Sequence, residues 1–509
     1  MNRNIRIVGI TLVLCFIALF VQLNRIQIFQ QEDLQENPSN MRSVIRDFNR
    51  ERGEIFTIDG EVIAKSQEID GQLKYERLYP FADLYAHSTG FFSFQYGADG
   101  LERYYNDQLS GQTEKQRFSS LEDIFTDTDT SADLTITINH SIQKTAKDAL
   151  GERNGSVVVV DPRTGAILAF WSYPSYDPTI FGSADLKNGQ KAWDEFSSLP
   201  SSKDPRLPKM YREIFFPGST FKLVTAAAAL SSSSATLTEP EFEVRNTYTP
   251  PLTTFPLQNF AGGTCGGDIL EGLRVSCNTT FAELAAEIVG AEPMIETSEK
   301  FGFNSSPPID LPSPVPSIFP DDFGNQVGET DNDPPIPILE NTPALAQSGI
   351  GQFNVKATPL QMALVAAAIA NDGIVMKPHL MDSFRDQNGK TIETYKPVIW
   401  QSVLSRQDAQ SLQLAMETTA SSGTATNLAI PTIRVGGKTG TAQIDADRPN
   451  DTHGWIVGYA GPQDGEATLA ISVIIESVPG EGQLTGGVDA APIAKAVLME
   501  ALRVQGILE

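Results

Sequence analysis

Pro217-Gly218-Ser219-Thr220-Phe221-Lys222 runs into Leu223-Val224-Thr225 and four alanines, Ala226 to Ala229, and the rest of the chain can be read outward from this stretch. Proline and glycine close one element where an alanine-rich helix begins, which sets Ser219 at a helix N-terminus. A spacing of three puts Lys222 one turn on and on the same face, and the helix dipole there favours negative charge on the serine oxygen. Nucleophile and base are thereby held side by side. Alone the pattern is weak, since Ser-x-x-Lys recurs by chance in long chains.

Two further patterns follow in order. Ser276-Cys277-Asn278 precedes an apolar helical run from 281 to 289. Val435-Gly436-Gly437-Lys438-Thr439-Gly440-Thr441-Ala442 reads as a strand whose glycines admit a close neighbour. Taken singly, Lys438 is an ordinary surface charge, and Ser276 and Asn278 are ordinary helix caps. Taken together, Ser-x-x-Lys, Ser-x-Asn and Lys-Thr-Gly form the signature of penicillin-binding proteins and class A β-lactamases, with Cys277 in place of the usual middle aspartate.

On these motifs the sequence resembles the class B penicillin-binding proteins, most closely their actinobacterial members. The likeness extends to the Arg52-Gly53 segment, Gly97 to Tyr105 with Gly100-Leu101-Glu102, residues 156–169, Gly351-Gln352 with Thr358-Pro359-Leu360-Gln361-Met362, Gly423-Thr424-Ala425, and His453-Gly454-Trp455 to Gly458-Tyr459. It departs from the usual wording after Ile55. The resemblance implies an α+β protein with a membrane-anchor helix, a small α+β pedestal domain, and a transpeptidase domain built on a central antiparallel sheet flanked by helices. It also implies a D,D-transpeptidase that cross-links peptidoglycan stem peptides and is acylated by β-lactam antibiotics.

In that reading Ser219 attacks the penultimate carbonyl of a stem peptide ending in D-Ala-D-Ala, Lys222 takes its proton, and Ser276 relays a proton to the leaving amine. Burial and the second cation, Lys438, would lower the Lys222 pKa as required. The backbone N–H groups of Ser219 and Thr441 form the oxyanion hole. Asn278 holds Lys222 and the peptide amide, and the strand Lys438-Thr439-Gly440-Thr441 binds the terminal carboxylate. Ser219, Lys222, Ser276, Asn278 and Lys438 must then converge in one cleft, with the Lys438 strand opposite the Ser276 segment.

Other readings share parts of this pattern. A β-lactamase or D,D-carboxypeptidase has the same acylation machinery, but residues 297–320 lack the Glu-x-x-Leu-Asn of class A β-lactamases. A β-lactam sensor is disfavoured by its single span and minimal cytoplasmic tail. An N-terminal glycosyltransferase would need more than the stretch available before Asp133.

Composition bounds the remainder. With 509 residues and 40% apolar content the chain suits two or three domains. A net charge of −25 without a basic stripe excludes nucleic acid as a partner. The four histidines are scattered, so neither a metal site nor a cofactor is expected. Arg3 and Arg6 precede an apolar run from Ile7 to Val21 with no small-x-small cleavage site after it, and Ile26, Ile28 and Phe29 prolong the apolar character. This reads as an uncleaved anchor with a cytoplasmic N-terminus, a cleaved signal being the alternative. Of the three cysteines, Cys15 lies in the span, so Cys265 and Cys277 are expected to pair as a disulfide or else remain two buried thiols.

The expected organisation is a tail at 1–6, a transmembrane anchor at 7–23, a pedestal at 24–132 and a transpeptidase domain at 133–509. The partners it implies are stem peptides, β-lactams, the cytoplasmic membrane and a membrane-embedded glycan polymerase. Asp59-Gly60 predicts a hairpin, and strands are expected at 134–138, 156–160, 166–170, 454–460 and 468–475. Helices are expected at 141–150 and 490–504. The proline-dense stretch 307–343 reads as a long loop or lid without regular elements.

Overall fold

The computed structural model of the chain describes residues 3–25, 48–71, 73–113, 131–444, 448, 450–478, 480 and 482–509. The apolar run forms helix α1 (Arg3–Asn24), none of whose residues is buried against the rest of the chain. Its 22 residues at 1.5 Å each reach about 33 Å, enough to cross a bilayer core. Ile26, Ile28 and Phe29 lie outside the described residues.

The Asp59-Gly60 hairpin joins β1 (Ile55–Phe56) to β2 (Val62–Glu68), with Gly60 at φ 94° and the Thr57 N–H donating to the Glu61 carbonyl. β3 (Tyr75–Leu78) pairs with β2, and β4 (Asp133–Ile136) runs parallel to β1. Gly53 is where these parts meet, because a Cβ there would lie 2.0 Å from the Ala132 carbonyl oxygen. Under the hairpin, Glu102 is fully buried and accepts from Arg52 Nε at 2.6 Å and Arg77 Nε at 2.7 Å. Burial alone would push its carboxyl up, but the two guanidiniums outweigh that and hold it below the usual range.

Beyond β4, helix α2 (His140–Leu150) is capped by Asn139, whose side chain accepts from Ile142 N. β5 (Gly155–Val160) and β6 (Ile167–Tyr173) form the next hairpin. The Ser219 stretch opens as a 3₁₀ turn (Gly218–Phe221) and continues as α3 (Lys222–Ser231). The short strand β7 (Leu257–Gln258), helix α4 (Ile269–Arg274) and helix α5 (Asn278–Glu283) follow, the last continuing as a π-helical turn to Val289.

The proline-dense stretch differs from expectation. Within it β8 (Gln326–Glu329) and β9 (Pro337–Leu339) pair antiparallel, while Ile309, Leu311, Phe319 and Phe323 are buried. The apolar residues, spaced too irregularly to announce an element, each dock into the core. A two-stranded surface ribbon requires no apolar face, so its polar sequence is no obstacle to pairing.

Helix α6 (Pro359–Ala370) has Thr358 as its cap and every residue buried, as its unbroken apolar composition requires. β10 (Met381–Arg385) and β11 (Thr391–Thr394) follow. They extend the N-terminal strands into a six-stranded sheet of order β11-β10-β4-β1-β2-β3. The chain then gives α7 (Arg406–Ser422), β12 (Ile433–Gln443), β13 (Thr452–Pro462), β14 (Leu469–Ile475) and α8 (Ala491–Val504).

The central sheet has the order β12-β13-β14-β5-β6 and is antiparallel throughout, so strands from both ends of the unit meet in its middle. β5 and β14 are buried at every residue, which is why they read as continuous Val/Ile runs. Helices α2 and α8 pack on each other and on this sheet, α6 packs on β14 and β5, and α7 packs on β12. Asp310, in the proline-dense stretch, is tied to the six-stranded sheet by accepting from the backbone N–H groups of Leu380 and Met381, and it also accepts from Tyr105 OH at 2.8 Å. Arg212 adds a two-pronged bond to Asp99.

Candidate active site

The turn carrying Ser219 is pinned on both sides. Gly218, at φ 52°, donates its N–H to the Gly351 carbonyl at 3.0 Å, and Trp455 Nε1 donates to the Phe216 carbonyl at 3.0 Å. Gly351 is itself at φ 73°, and a Cβ there would lie 2.1 Å from the Gly218 oxygen. Ser219 is half-buried, whereas Lys222 is wholly buried beneath it. The 3₁₀ turn eclipses residues three apart, so it stacks these two positions more directly than the expected α-helical start.

Lys222 Nζ donates to the Ser276 carbonyl and to Asn278 Oδ1, each at 2.7 Å. Among the described residues no hydrogen bond joins Ser219 Oγ to Lys222. The face of Phe281 lies 5.7 Å from the amine. Ser276 Oγ accepts from Lys438 Nζ at 2.8 Å, and the same ammonium donates to the Thr439 carbonyl at 3.0 Å. One residue thus links the two lysines, its carbonyl to Lys222 and its hydroxyl to Lys438. Ser276 sits at φ 61°, a left-handed conformation that costs a non-glycine residue about 1–3 kcal/mol and persists only where the surroundings enforce it.

β12 brings the third motif against the turn carrying Ser219. Gly440 permits this approach, since a Cβ there would lie 2.9 Å from both the Pro217 oxygen and Thr220 Cγ2. Thr439 is buried with its hydroxyl 2.7 Å from that of Thr424, and Thr441 is half-buried beside Gly218. Ser219, Lys222, Ser276, Asn278 and Lys438 therefore belong to one cluster drawn from α3, the α4–α5 turn and β12. A surface cavity of about 500 Å³ lined by Arg163, Glu417, Arg434 and Glu466 shares no residue with it.

The electrostatics follow from burial. Desolvation is the larger influence on Lys222, with the Lys438 charge acting in the same direction, and together they hold its pKa well below the ordinary lysine value. Burial pushes Lys438 down to about 7. The cluster therefore offers a serine hydroxyl at a helix-start turn, an amine biased toward its neutral form, a second hydroxyl bonded to a second ammonium, and a side-chain amide. That set suits acyl transfer through a covalent ester.

A disulfide and a distant amide also hold the site. Cys265 and Cys277 are disulfide-bonded, with Cα atoms 5.8 Å apart. Neither Ser276 nor Asn278 caps α5. Instead Asn259 Oδ1 accepts from the backbone N–H groups of both Asn278 and Thr279 at 2.9 Å. Asn278 Nδ2 donates to the Gln258 carbonyl at 2.9 Å, which turns its oxygen toward Lys222. Nothing near the Ser-x-Asn motif in sequence announces Asn259, since a cap is ordinarily sought beside the helix it serves.

Comparison with known proteins gives concordant likenesses. Residues 155–499 match the penicillin binding protein transpeptidase domain, and residues 52–133 match the penicillin binding protein A dimerisation domain. The chain is 35% identical to the peptidoglycan D,D-transpeptidase PbpA of Mycolicibacterium smegmatis and 33% identical to PbpA of Mycobacterium tuberculosis H37Rv, in each case over 99% of both chains. Its fold is similar to that of penicillin-binding protein A from M. tuberculosis solved as a ceftriaxone acyl-enzyme complex. The TM-score is 0.79 and the identity 32%, over 90% of this chain and 100% of that one. The penicillin G acyl-enzyme complex of the same protein superposes with a TM-score of 0.77 at 33% identity, over 89% of this chain and 100% of that one.

Proposed function

The chain belongs to the penicillin-binding protein transpeptidase family, and from that premise we propose that Ser219 is the nucleophile of its peptidoglycan D,D-transpeptidase reaction. The observation that carries the assignment is the pair of bonds through Ser276, whose carbonyl accepts from Lys222 while its hydroxyl accepts from Lys438.

In the first half-reaction Ser219 Oγ attacks the carbonyl of the penultimate D-alanine, and its proton passes to neutral Lys222 Nζ. The backbone N–H groups of Ser219 and Thr441 stabilise the oxyanion, while Lys438, Thr439, Gly440 and Thr441 receive the terminal carboxylate. Collapse breaks the C–N bond. The departing amine takes a proton through Ser276, which recovers one from Lys438, and D-alanine leaves a seryl ester behind. An acceptor amine from a second stem peptide then attacks that ester, gives up its proton along the same path, and restores the Ser219 hydroxyl as the cross-link forms. A β-lactam enters at the first step, but its leaving nitrogen stays tethered to the acyl group.

Residues 24–132 are taken as the pedestal and 133–509 as the transpeptidase domain, with α1 crossing the membrane and its N-terminus in the cytoplasm. Arg3 and Arg6 ahead of the span support that orientation. An anchor and pedestal of this kind suit a membrane-embedded glycan polymerase as partner. The reaction is tested by incubating the full-length chain with a D-Ala-D-Ala stem peptide and an amine acceptor. Equimolar release of D-alanine and appearance of the amide product are expected. D-alanine released with hydrolysed donor only, at saturating acceptor, would point to a carboxypeptidase.

A further inference from the structure

We propose that Asn259 is a positioning residue of this reaction: by capping α5 it holds the Ser276–Asn278 turn so that Asn278 presents its carbonyl oxygen to Lys222. The inference rests on the reading of Lys222 and Asn278 given above. Asn259 is 6% exposed and uses both ends of its amide. Oδ1 takes the N–H groups of Asn278 and Thr279, and Nδ2 donates to the Arg245 carbonyl at 2.9 Å and to Thr279 Oγ1 at 3.3 Å. A helix N-terminus leaves its first N–H groups without intrahelical partners, and here the cap residue itself, the disulfide-bonded Cys277, makes no side-chain bond to them. Asn259 fills that role from 19 positions away.

The adjacent residue completes the device. The Gln258 carbonyl takes Asn278 Nδ2 at 2.9 Å, so two consecutive residues fix first the backbone and then the amide orientation of Asn278. If the cap is lost, the first turn of α5 is free to shift, and the 2.7 Å bond from Lys222 to Asn278 Oδ1 is lost with it. Ser276, held at φ 61°, is equally free to relax toward an ordinary conformation, which would carry its hydroxyl away from Lys438. A displacement of about 1 Å in such a constellation costs on the order of 100-fold in rate. Lys222 donates to the Ser276 carbonyl and the Asn278 amide, faces the Phe281 ring and feels the Lys438 charge, and among the described residues it makes no ion pair with a carboxylate that could substitute for Asn278.

The test compares second-order acylation by labelled penicillin in the full-length protein and its variants, each checked for folding by thermal melting. Asn259→Ala should slow acylation at least 10-fold, to within a few-fold of Asn278→Ala, and the double variant should be no slower than Asn278→Ala alone. Asn259→Asp still accepts from both amides but gives up the Nδ2 bond to the Arg245 carbonyl, so it should recover part of the rate, acylating at least about threefold faster than Asn259→Ala. A merely structural residue would lower the melting temperature without that non-additivity and without rescue by aspartate. A folded Asn259→Ala that acylates at the wild-type rate, or losses that multiply in the double variant, would overturn the proposal. If Asn259→Ala does not fold, a folded Asn259→Asp as slow as Asn278→Ala overturns it instead. Wild-type protein that is not labelled at Ser219 would remove the underlying mechanism, whereas slowing by Asn278→Ala without slowing by Asn259→Ala would remove this inference alone.

Discussion

Lys222 and Lys438 are buried amines joined through one serine, and their division of labour is a matter of charge. In the proposed mechanism Lys222 must be neutral to take a proton, and Lys438 must be charged to hold a carboxylate. Acylation should therefore rise with pH through the depressed Lys222 value and fall as Lys438 loses its proton near 7, giving a bell whose limbs belong to the coupled pair. Because the Lys438 charge helps lower Lys222, Lys438→Ala should slow acylation and move the remaining acid limb to higher pH. An acid limb that stayed in place, measured as acylation rate against pH, would show that the two amines do not communicate. At this scale the sequence was informative where chemistry restricts residue type, as with Ser219, Lys222 and Lys438. It was silent on Asn259, which acts on backbone groups distant in the chain and reads in the sequence as an ordinary loop residue.

Among the elements, the turn carrying Ser219 shows how a site is held by what is missing. Gly351 passes so close to Gly218 that a methyl group has no room, and its φ of 73° penalises any side chain besides. Gly351→Ala should destabilise the protein by about 1–3 kcal/mol and slow acylation by displacing Ser219. Unchanged denaturation midpoint and unchanged acylation rate would both be needed to refute that view of the turn. The elements most legible in the sequence were those with strong periodicity or continuous apolar character: the hairpin at Asp59-Gly60, β5, β14 and α2. The 3₁₀ start of α3 and the β8–β9 ribbon were not legible. A one-turn change of helix type leaves no mark in composition, and a ribbon between prolines is specified by its turn and its anchoring residues, not by an apolar face.

Across the whole molecule, the six-stranded sheet joins residues 55–78 to strands from 133–136 and 381–394, so the stretch matching the dimerisation domain and the stretch matching the transpeptidase domain share a ladder. Sequence order could not disclose this, because β10 and β11 reach the sheet only after nearly half the chain has intervened since β4. Glu102, between Arg52 and Arg77, is the buried charge centre beside it. Glu102→Ala would leave two guanidiniums facing each other without a counter-ion and should cost about 3–5 kcal/mol, read as a lowered denaturant midpoint. A midpoint within experimental error of the wild type would mean water enters freely beneath the hairpin. Whether the molecule is a transpeptidase acting through Ser219 is tested most directly by intact-mass spectrometry of the full-length protein and Ser219→Ala after exposure to labelled penicillin. The account predicts a persistent adduct of one penicillin mass on the wild type, mapped to the peptide containing Ser219, and none on a folded Ser219→Ala. Labelling that continues in that variant, or an adduct on any other residue, would contradict it.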